Sequence, residues 1–209
     1  VPVKRVAREH LDALCRGVPH QGVVGIVAGY AYVDLAEILR RPEARGEPAL
    51  LVVLDGVQDP RNLGAVIRTA DAAGAHGVVI PRRRAVGLTG AVGRASAGAI
   101  EHVPVARVAN MPQTVERLKE KGLWVAGADA DGQELFWDAR LDGPLALVIG
   151  GEGKGLGRLV KERCDLLVRL PMSGRINSLN ASVAAALLVY EVARQRRKAS
   201  HEGKGVFNS

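Results

Sequence analysis

Amide, carboxylate, guanidinium and glycine groups are concentrated in three separated segments of this 209-residue chain. The first is Asp59-Pro60-Arg61-Asn62-Leu63-Gly64-Ala65-Val66-Ile67-Arg68-Thr69-Ala70, which places Asn62 and Arg68 on the less apolar part of a helix. The second, Ile149-Gly150-Gly151-Glu152-Gly153-Lys154-Gly155-Leu156-Gly157, follows an apolar run and precedes a helical pattern, the setting of a ligand loop in α/β proteins. It is not a phosphate-binding P-loop, because Gly155 follows Gly153-Lys154 where Ser or Thr is required and the first required glycine falls on Val148. Nor is it G-x-G-x-x-G, since the register that starts at Gly151 reaches Leu156. The third segment, Leu170-Pro171-Met172-Ser173-Gly174-Arg175-Ile176-Asn177-Ser178-Leu179-Asn180, carries polar side chains to where the free amides of a helix N-terminus lie. Taken singly, each has a plain alternative: a flexible turn, an N-cap at Asn177 or Ser178, and solvated helix polars.

Other reactive side chains are sparse. Cys15 and Cys164 stand alone, without a C-x-x-C or Cys/His cluster, so no metal site or disulfide is expected and a reducing cytoplasm suits them. His10, His20, His76, His102 and His201 are scattered and are read as structural. Asp129-Ala130-Asp131-Gly132 has the start of a calcium loop, but Arg140 stands where the closing Glu belongs, leaving a turn. With 29 Lys and Arg against 22 Asp and Glu, the formal charge of +7 favours a polyanionic partner. Aromatic residues make up 3% of the chain, which disfavours a binder built on rows of stacking rings. Phosphate contact then falls to arginine and lysine, with Arg61, Arg82-Arg83-Arg84 and the run from Arg194 to Lys198 as candidates. A solvated surface is the plain alternative for these clusters.

These segments need a scaffold, and the apolar pattern supplies one. Short β-branched runs at Leu51–Asp55, Val78–Ile80, Val103–Arg107, Leu123–Ala128, Leu145–Ile149 and Leu166–Leu170 alternate with helical patterns. That rhythm predicts an α/β fold with a mostly parallel sheet and helices on both faces. Leu63, Val66, Ile67 and Ala70 have helical spacing, and Asp59-Pro60 supplies a capping residue with proline in the first turn. The last helix is expected from about Ser178 to Arg197, apolar on most sides over Val183–Tyr190, which predicts a homodimer interface as well as core burial. Residues 1–22 differ in character from the rest, 23–48 read as a linker with a short helix near Leu35–Arg41, 49–198 form the main domain, and 199–209 are expected to be a flexible tail. No apolar run approaches the roughly 20 residues that cross a bilayer, and the N-terminus has no export pattern. Together with the cysteines, this predicts a cytoplasmic protein.

In their order and combination the three segments resemble the signature motifs of the SpoU family of RNA methyltransferases, within the SPOUT superfamily. The matching residues are Asn62 with Arg68-Thr69-Ala70, then Leu147-Val148-Ile149-Gly150-Gly151-Glu152-Gly153, then Leu170-Pro171-Met172 with Ser178-Leu179-Asn180-Ala181-Ser182. The likeness covers roughly residues 50–197. The stretch before residue 48 resembles the end of the family's small RNA-binding domain with its linker, the upstream part being expected to be absent. Pro2-Val3, His20-Gln21-Gly22 and Leu54-Asp55-Gly56-Val57 make the chain most similar to the bacterial members that methylate a guanosine ribose of 23S ribosomal RNA.

The resemblance implies a C-terminal deep trefoil knot and S-adenosylmethionine as methyl donor. It implies that Gly150, Gly151, Gly153, Leu170, Met172, Ser178 and Leu179 bind that cofactor, and that Asn62, Arg68, Glu152, Ser178 and Asn180 form the catalytic set. Glu152 would orient Arg68 or the nucleotide, and Asn62, Ser178 and Asn180 would fix the ribose. Arginine stays protonated in proteins and is a poor base. Two routes therefore remain open for Arg68: coupling to a neighbouring phosphate, or stabilising the developing alkoxide by its charge. The alternatives to ribose methylation of ribosomal RNA are the same reaction on transfer RNA and a non-catalytic RNA-binding protein on this scaffold.

Overall fold

The computed structural model describes residues 2–26 and 29–202. The chain divides into two compact units, Val1–Tyr30 and Ala31–Ser209. In the first, helix α1 (Arg8–Cys15) buries no residue and ends on Arg16 in the left-handed conformation. His20 pins the following turn, with Nε2 2.9 Å from an Asp12 carboxylate oxygen and Nδ1 accepting from the Gly22 amide.

The second unit is built on a seven-stranded sheet whose paired strands all run parallel. Its strands are β1 (Leu50–Asp55), β2 (Gly77–Pro81), β3 (Val105–Val108), β4 (Trp124–Ala128), β5 (Glu134–Leu135), β6 (Leu145–Gly150) and β7 (Leu166–Arg169). They lie in the order β3-β2-β1-β6-β4-β7-β5. Both faces are covered, which is why the central strands read as unbroken apolar runs. Alternate residues Leu51, Val53, Val125 and Val148 face one way, onto α2 (Leu35–Arg45), α5 (Met111–Glu120) and α6 (Arg158–Lys161) through Ile38, Val115, Leu118 and Val160. Their neighbours Leu50, Val52, Leu54 and Leu147 are as fully buried on the other face. There α3 (Pro60–Ala72) and α7 (Ala181–Glu202) pack on each other and on the sheet, and the short α4 (Gly90–Ala95) packs on α3.

The sheet and helix α3 agree with the sequence expectation, including Asp59 as N-cap, its carboxylate accepting from the Arg61 amide at 2.7 Å, with Pro60 in the first turn. Several boundaries differ by two residues or more, and one strand was not expected. The expected strand at Val103–Arg107 begins at Val105, because Pro104 has no amide to offer a ladder and uses its carbonyl to accept from Val78. The two-residue β5 was too short to leave a periodic trace.

The expected linker 23–48 is not a linker over its second half. Val33 bridges to Ala106, and α2 seats Leu35 and Ile38 in the core, so the units part after Tyr30 rather than near residue 48. Helix α7 starts at Ala181 rather than Ser178, and it continues beyond Arg197 to Glu202, with the Ser200 hydroxyl donating to the Arg196 carbonyl. The expected flexible tail is therefore helical over 199–202, and 203–209 lie outside the described residues.

At its far end α7 is fastened to the sheet. Arg196 donates to the carbonyls of Pro48, Ala49 and Gly143 at 2.7–2.9 Å, and Gln195 accepts from the Leu141 amide while donating to the Ala139 carbonyl. His76, fully buried, accepts from the Leu50 amide through Nδ1, and burial is the leading cause that lowers its pKa.

If α2 is an integral layer of the core, Ile38→Ala will lower the stability of this unit by about 2–5 kcal/mol in denaturant unfolding, as for other buried aliphatic truncations. A linker helix would lose no more than about 0.5 kcal/mol.

Candidate functional site

Three loops leave the carboxyl ends of β1, β6 and β7, the edge at which parallel α/β sheets hold their ligands. The β1 loop enters α3, whose first turn turns Asn62 inward until it is 7% exposed. The β6 loop is the glycine segment, and the β7 loop runs from Leu170 to Asn180 before α7 begins.

One chain of hydrogen bonds joins the three. Asn62 donates through Nδ2 to Glu152 Oε1, and Asn62 Oδ1 accepts from Asn180 Nδ2 at 3.0 Å. Asn180 Oδ1 in turn accepts from the Ser182 amide at 2.9 Å and the Ser182 hydroxyl at 2.6 Å. Polarity fixes the direction. A carboxylate only accepts, the free amides of a helix N-terminus only donate, and the two asparagines between them must each present nitrogen toward Glu152 and oxygen toward α7. Asn180 is thereby the N-cap of α7, a role that sequence spacing had offered to Asn177 or Ser178.

The second and third loops also wall a cleft of ≈ 950 Å³. Every residue expected to bind the cofactor lines it: Gly150, Gly151 and Gly153 on one side, Leu170, Met172, Ser178 and Leu179 on the other. Glu152 and Asn180 sit in the same lining. The volume falls at the upper end of the range of about 300–1,000 Å³ typical of small-molecule sites. A side chain at Gly150 would meet the Gly155 carbonyl and one at Gly151 the Gly56 carbonyl, so glycine here lets the loop fold against itself and against the β1 loop. The cleft thus sets glycine backbone beside the aliphatic Leu170, Met172 and Leu179 and the charged Asp129, Lys154, Arg169 and Arg175.

Sequence reasoning missed Asp129 and Ala130, which extend the wall from the end of β4. Lys161 holds this turn by reaching Asp129 at 2.7 Å and Asp131 at 3.1 Å. The hydrogen bond to Asp129 is the leading reason its ammonium pKa is raised. The Asp-x-Asp-Gly spacing at a strand end was the available signal. Burial pushes the Cys164 thiol up to about 12, and its Sγ donates to the Val160 carbonyl, both of which disfavour the thiolate.

Arg68 does not join the set. It lies six residues beyond Asn62 on α3, roughly 120° around the helix and about 9 Å along it, and is exposed. Within one chain Glu152 therefore meets Asn62 instead of Arg68, and Asn62 is a buried connector rather than a partner of Arg68 on an RNA-facing surface. Arg61 shares the exposed face of Arg68, being one heptad earlier. Ser178 lines the cleft without entering the hydrogen-bond chain. Arg82, Arg83 and Arg84 are exposed on the loop after β2, which is tied to the β1 loop by the Val86 amide donating to the Val57 carbonyl.

The profile of the SpoU rRNA Methylase family matches residues 49–190, and one described as RNA 2′-O ribose methyltransferase substrate binding matches residues 1–33. A Bacillus subtilis protein assigned to the TrmH family of tRNA/rRNA methyltransferases is 55% identical over 196 residues, 94% of this chain and 78% of that protein. A Staphylococcus haemolyticus protein with the same assignment is 50% identical, with the same shares of 94% and 78%.

Among solved structures, the S-adenosylmethionine-bound rRNA methyltransferase of Sinorhizobium meliloti superposes with a TM-score of 0.78 at 30% identity, covering 90% of this chain and 70% of that one. The SpoU methyltransferase AviRb of Streptomyces viridochromogenes, in complex with the same cofactor, gives 0.67 at 32% identity, covering 71% and 58%. This chain thus spans under two thirds of AviRb. The matching profile and the S-adenosylmethionine-bound neighbours define the class as a cofactor-dependent RNA methyltransferase. The chain belongs to the SpoU methylase family of RNA methyltransferases.

The hydrogen-bond chain can be separated from the cap by chemistry at one residue. Asn180→Asp keeps an N-cap acceptor but cannot donate to Asn62, so its thermal midpoint should stay within a few degrees of wild type while methyl transfer falls at least tenfold. Asn180→Ala should lose both, with about 1 kcal/mol of stability in addition. Wild-type turnover by Asn180→Asp would remove the donor from the mechanism.

Proposed function

We propose that the chain transfers a methyl group from S-adenosylmethionine to the ribose 2′-hydroxyl of a guanosine in 23S ribosomal RNA, acting as a cytoplasmic homodimer. The observation that carries this reading is the Glu152–Asn62–Asn180 chain, which joins the first motif segment to the two loops that wall the cleft. The rRNA methyltransferase among the structural neighbours and the likeness of Leu54–Val57 to the 23S enzymes support the choice of RNA. The match of residues 1–33 to a substrate-binding profile supports reading the first unit as part of an RNA-binding module. The C-terminal deep trefoil knot belongs to the same proposal.

When bound, the cofactor supplies a methyl group activated by its sulfonium. The protein's share is to orient and to polarise. Backbone groups of Gly150–Gly153 and the apolar edges of Leu170, Met172 and Leu179 hold the donor, while Ser178 and Asn180 meet the ribose. Fixing the hydroxyl oxygen in line with the methyl carbon supplies much of the rate. The hydroxyl must also give up its proton. Arg68 stays a cation and favours the alkoxide by its charge, with a neighbouring phosphate of the RNA as proton acceptor.

Because Arg68 faces away from its own cleft, we assign it to the site of a second copy. Exposed Val183, Leu187 and Tyr190 on α7, at 43–55% accessibility, with Ile176 and Leu179 nearby in sequence, supply the apolar face for that contact.

Mapping ribose methylation on ribosomal RNA from cells with and without the gene tests the proposal. One 23S guanosine should lose its methyl group and regain it with wild-type protein but not with Arg68→Ala. Loss confined to transfer RNA would overturn the substrate, and full complementation by Arg68→Ala would overturn its role. If Arg82–Arg84 touch phosphate, replacing all three with glutamine should flatten the plot of log binding constant against log salt by about 0.7–0.9 for each phosphate left without its cation. An unchanged slope would remove the loop from the interface.

A further inference from the structure

One residue outside the motif set holds both ends of the glycine loop. Asp55 ends β1 in register with Gly150. Its carbonyl accepts from the Gly151 amide at 2.9 Å, and its carboxylate Oδ2 accepts from the Gly157 amide at 2.8 Å. The loop therefore leaves from one residue and returns to it. Between these anchors the Gly155 amide donates to the Gly151 carbonyl, forming an isolated antiparallel bridge. The carbonyl of Gly56, next to Asp55, occupies the space where a Gly151 side chain would stand.

Four of the seven residues from Gly151 to Gly157 are glycine, so this loop has more conformational freedom to lose on ordering than almost any other sequence of its length. Helix α6, which follows Gly157, is four residues long and provides no side-chain cap of its own. A charged acceptor on a backbone amide is among the stronger hydrogen bonds available to fix such a loop.

We propose that Asp55 is a positioning residue for cofactor capture: its carboxylate closes the loop 151–157 into the form that walls the cleft and aims Glu152 at Asn62. This rests on the assignment of that loop to S-adenosylmethionine. A loop that is open for most of the time lowers apparent affinity by the fraction of time it is closed. Asp55 therefore governs binding of the donor rather than of RNA.

The test uses the whole chain, with S-adenosylmethionine titrated by calorimetry and amide exchange measured without it. In Asp55→Ala the dissociation constant should rise at least tenfold, and the amides of Gly151–Gly157 should exchange at least tenfold faster, with RNA affinity within twofold of wild type. Asp55→Asn, whose side-chain oxygen can still accept from Gly157, should recover most of both. The same bond can be removed from its other end: Gly157 has φ −62°, which proline adopts, so Gly157→Pro deletes the donor and its ring displaces the Asp55 carboxylate. It should match Asp55→Ala, and the double variant should be little worse than either.

Unchanged exchange and unchanged affinity in Asp55→Ala would overturn the clamp, as would an Asp55→Asn variant as impaired as alanine. Should Asp55→Ala not fold, wild-type affinity in Gly157→Pro overturns it. Failure of the wild-type chain to bind the cofactor would instead overturn the assignment of the loop, while the exchange data continue to decide the clamp.

Discussion

Everything at the carboxyl edge of the sheet depends on the need to satisfy a nearly buried asparagine. Asn62 enters the protein in the first turn of α3, where its carboxamide would cost several kcal/mol without partners. Its partners come from residues 90 and 118 positions downstream. Satisfying this one amide therefore brings the glycine loop and the β7–α7 loop to the same place. The cleft exists because the two loops that meet at Asn62 leave a space between them.

The interaction also orders the charges. A carboxylate lies at one end, the helix N-terminus of α7 at the other, and the two carboxamides between them have one permissible orientation. Such a network can hold polar atoms still at the edge of the cleft. Asp129, which also lines the cleft, is held by Lys161. Cofactor-binding surfaces made from main-chain atoms cannot choose rotamers. Their shape must come from what holds the loops.

The sheet was legible because fully buried strands are written as apolar runs, and α3 because Asp59-Pro60 and the spacing of Leu63, Val66, Ile67 and Ala70 agree on one answer. Resemblance supplied the candidate members of the site. Their arrangement was less visible. Asn62 and Arg68 looked like companions because both are polar on one helix, yet a separation of six residues points them apart, and the burial of one depends on loops that no local pattern encodes. The start of α7 was misread because Asn177, Ser178 and Asn180 are all good caps, and only the contact with Asn62 selects among them. The integration of α2 was hidden by Pro42 and Gly46, which read as linker residues although Pro42 is itself buried within the helix. Asp55 counted only as part of the Leu54–Val57 likeness and gave no sign of its contact with Gly157, since a carboxylate at a strand end is common.

Helix α7 is fixed at two separated points of its unit. Asn180 ties its start to the site, and sixteen residues later Arg196 grips the carbonyls that open β1 and β6. A helix advances about 1.5 Å and turns about 100° per residue. Adding or deleting one residue between those anchors would put either the cap or the guanidinium on the wrong side. The length of this helix is thus as constrained as any side chain in the cleft. Diversification within the lineage should then proceed by substitution along α7, with insertions confined to the segments beyond its two attachments.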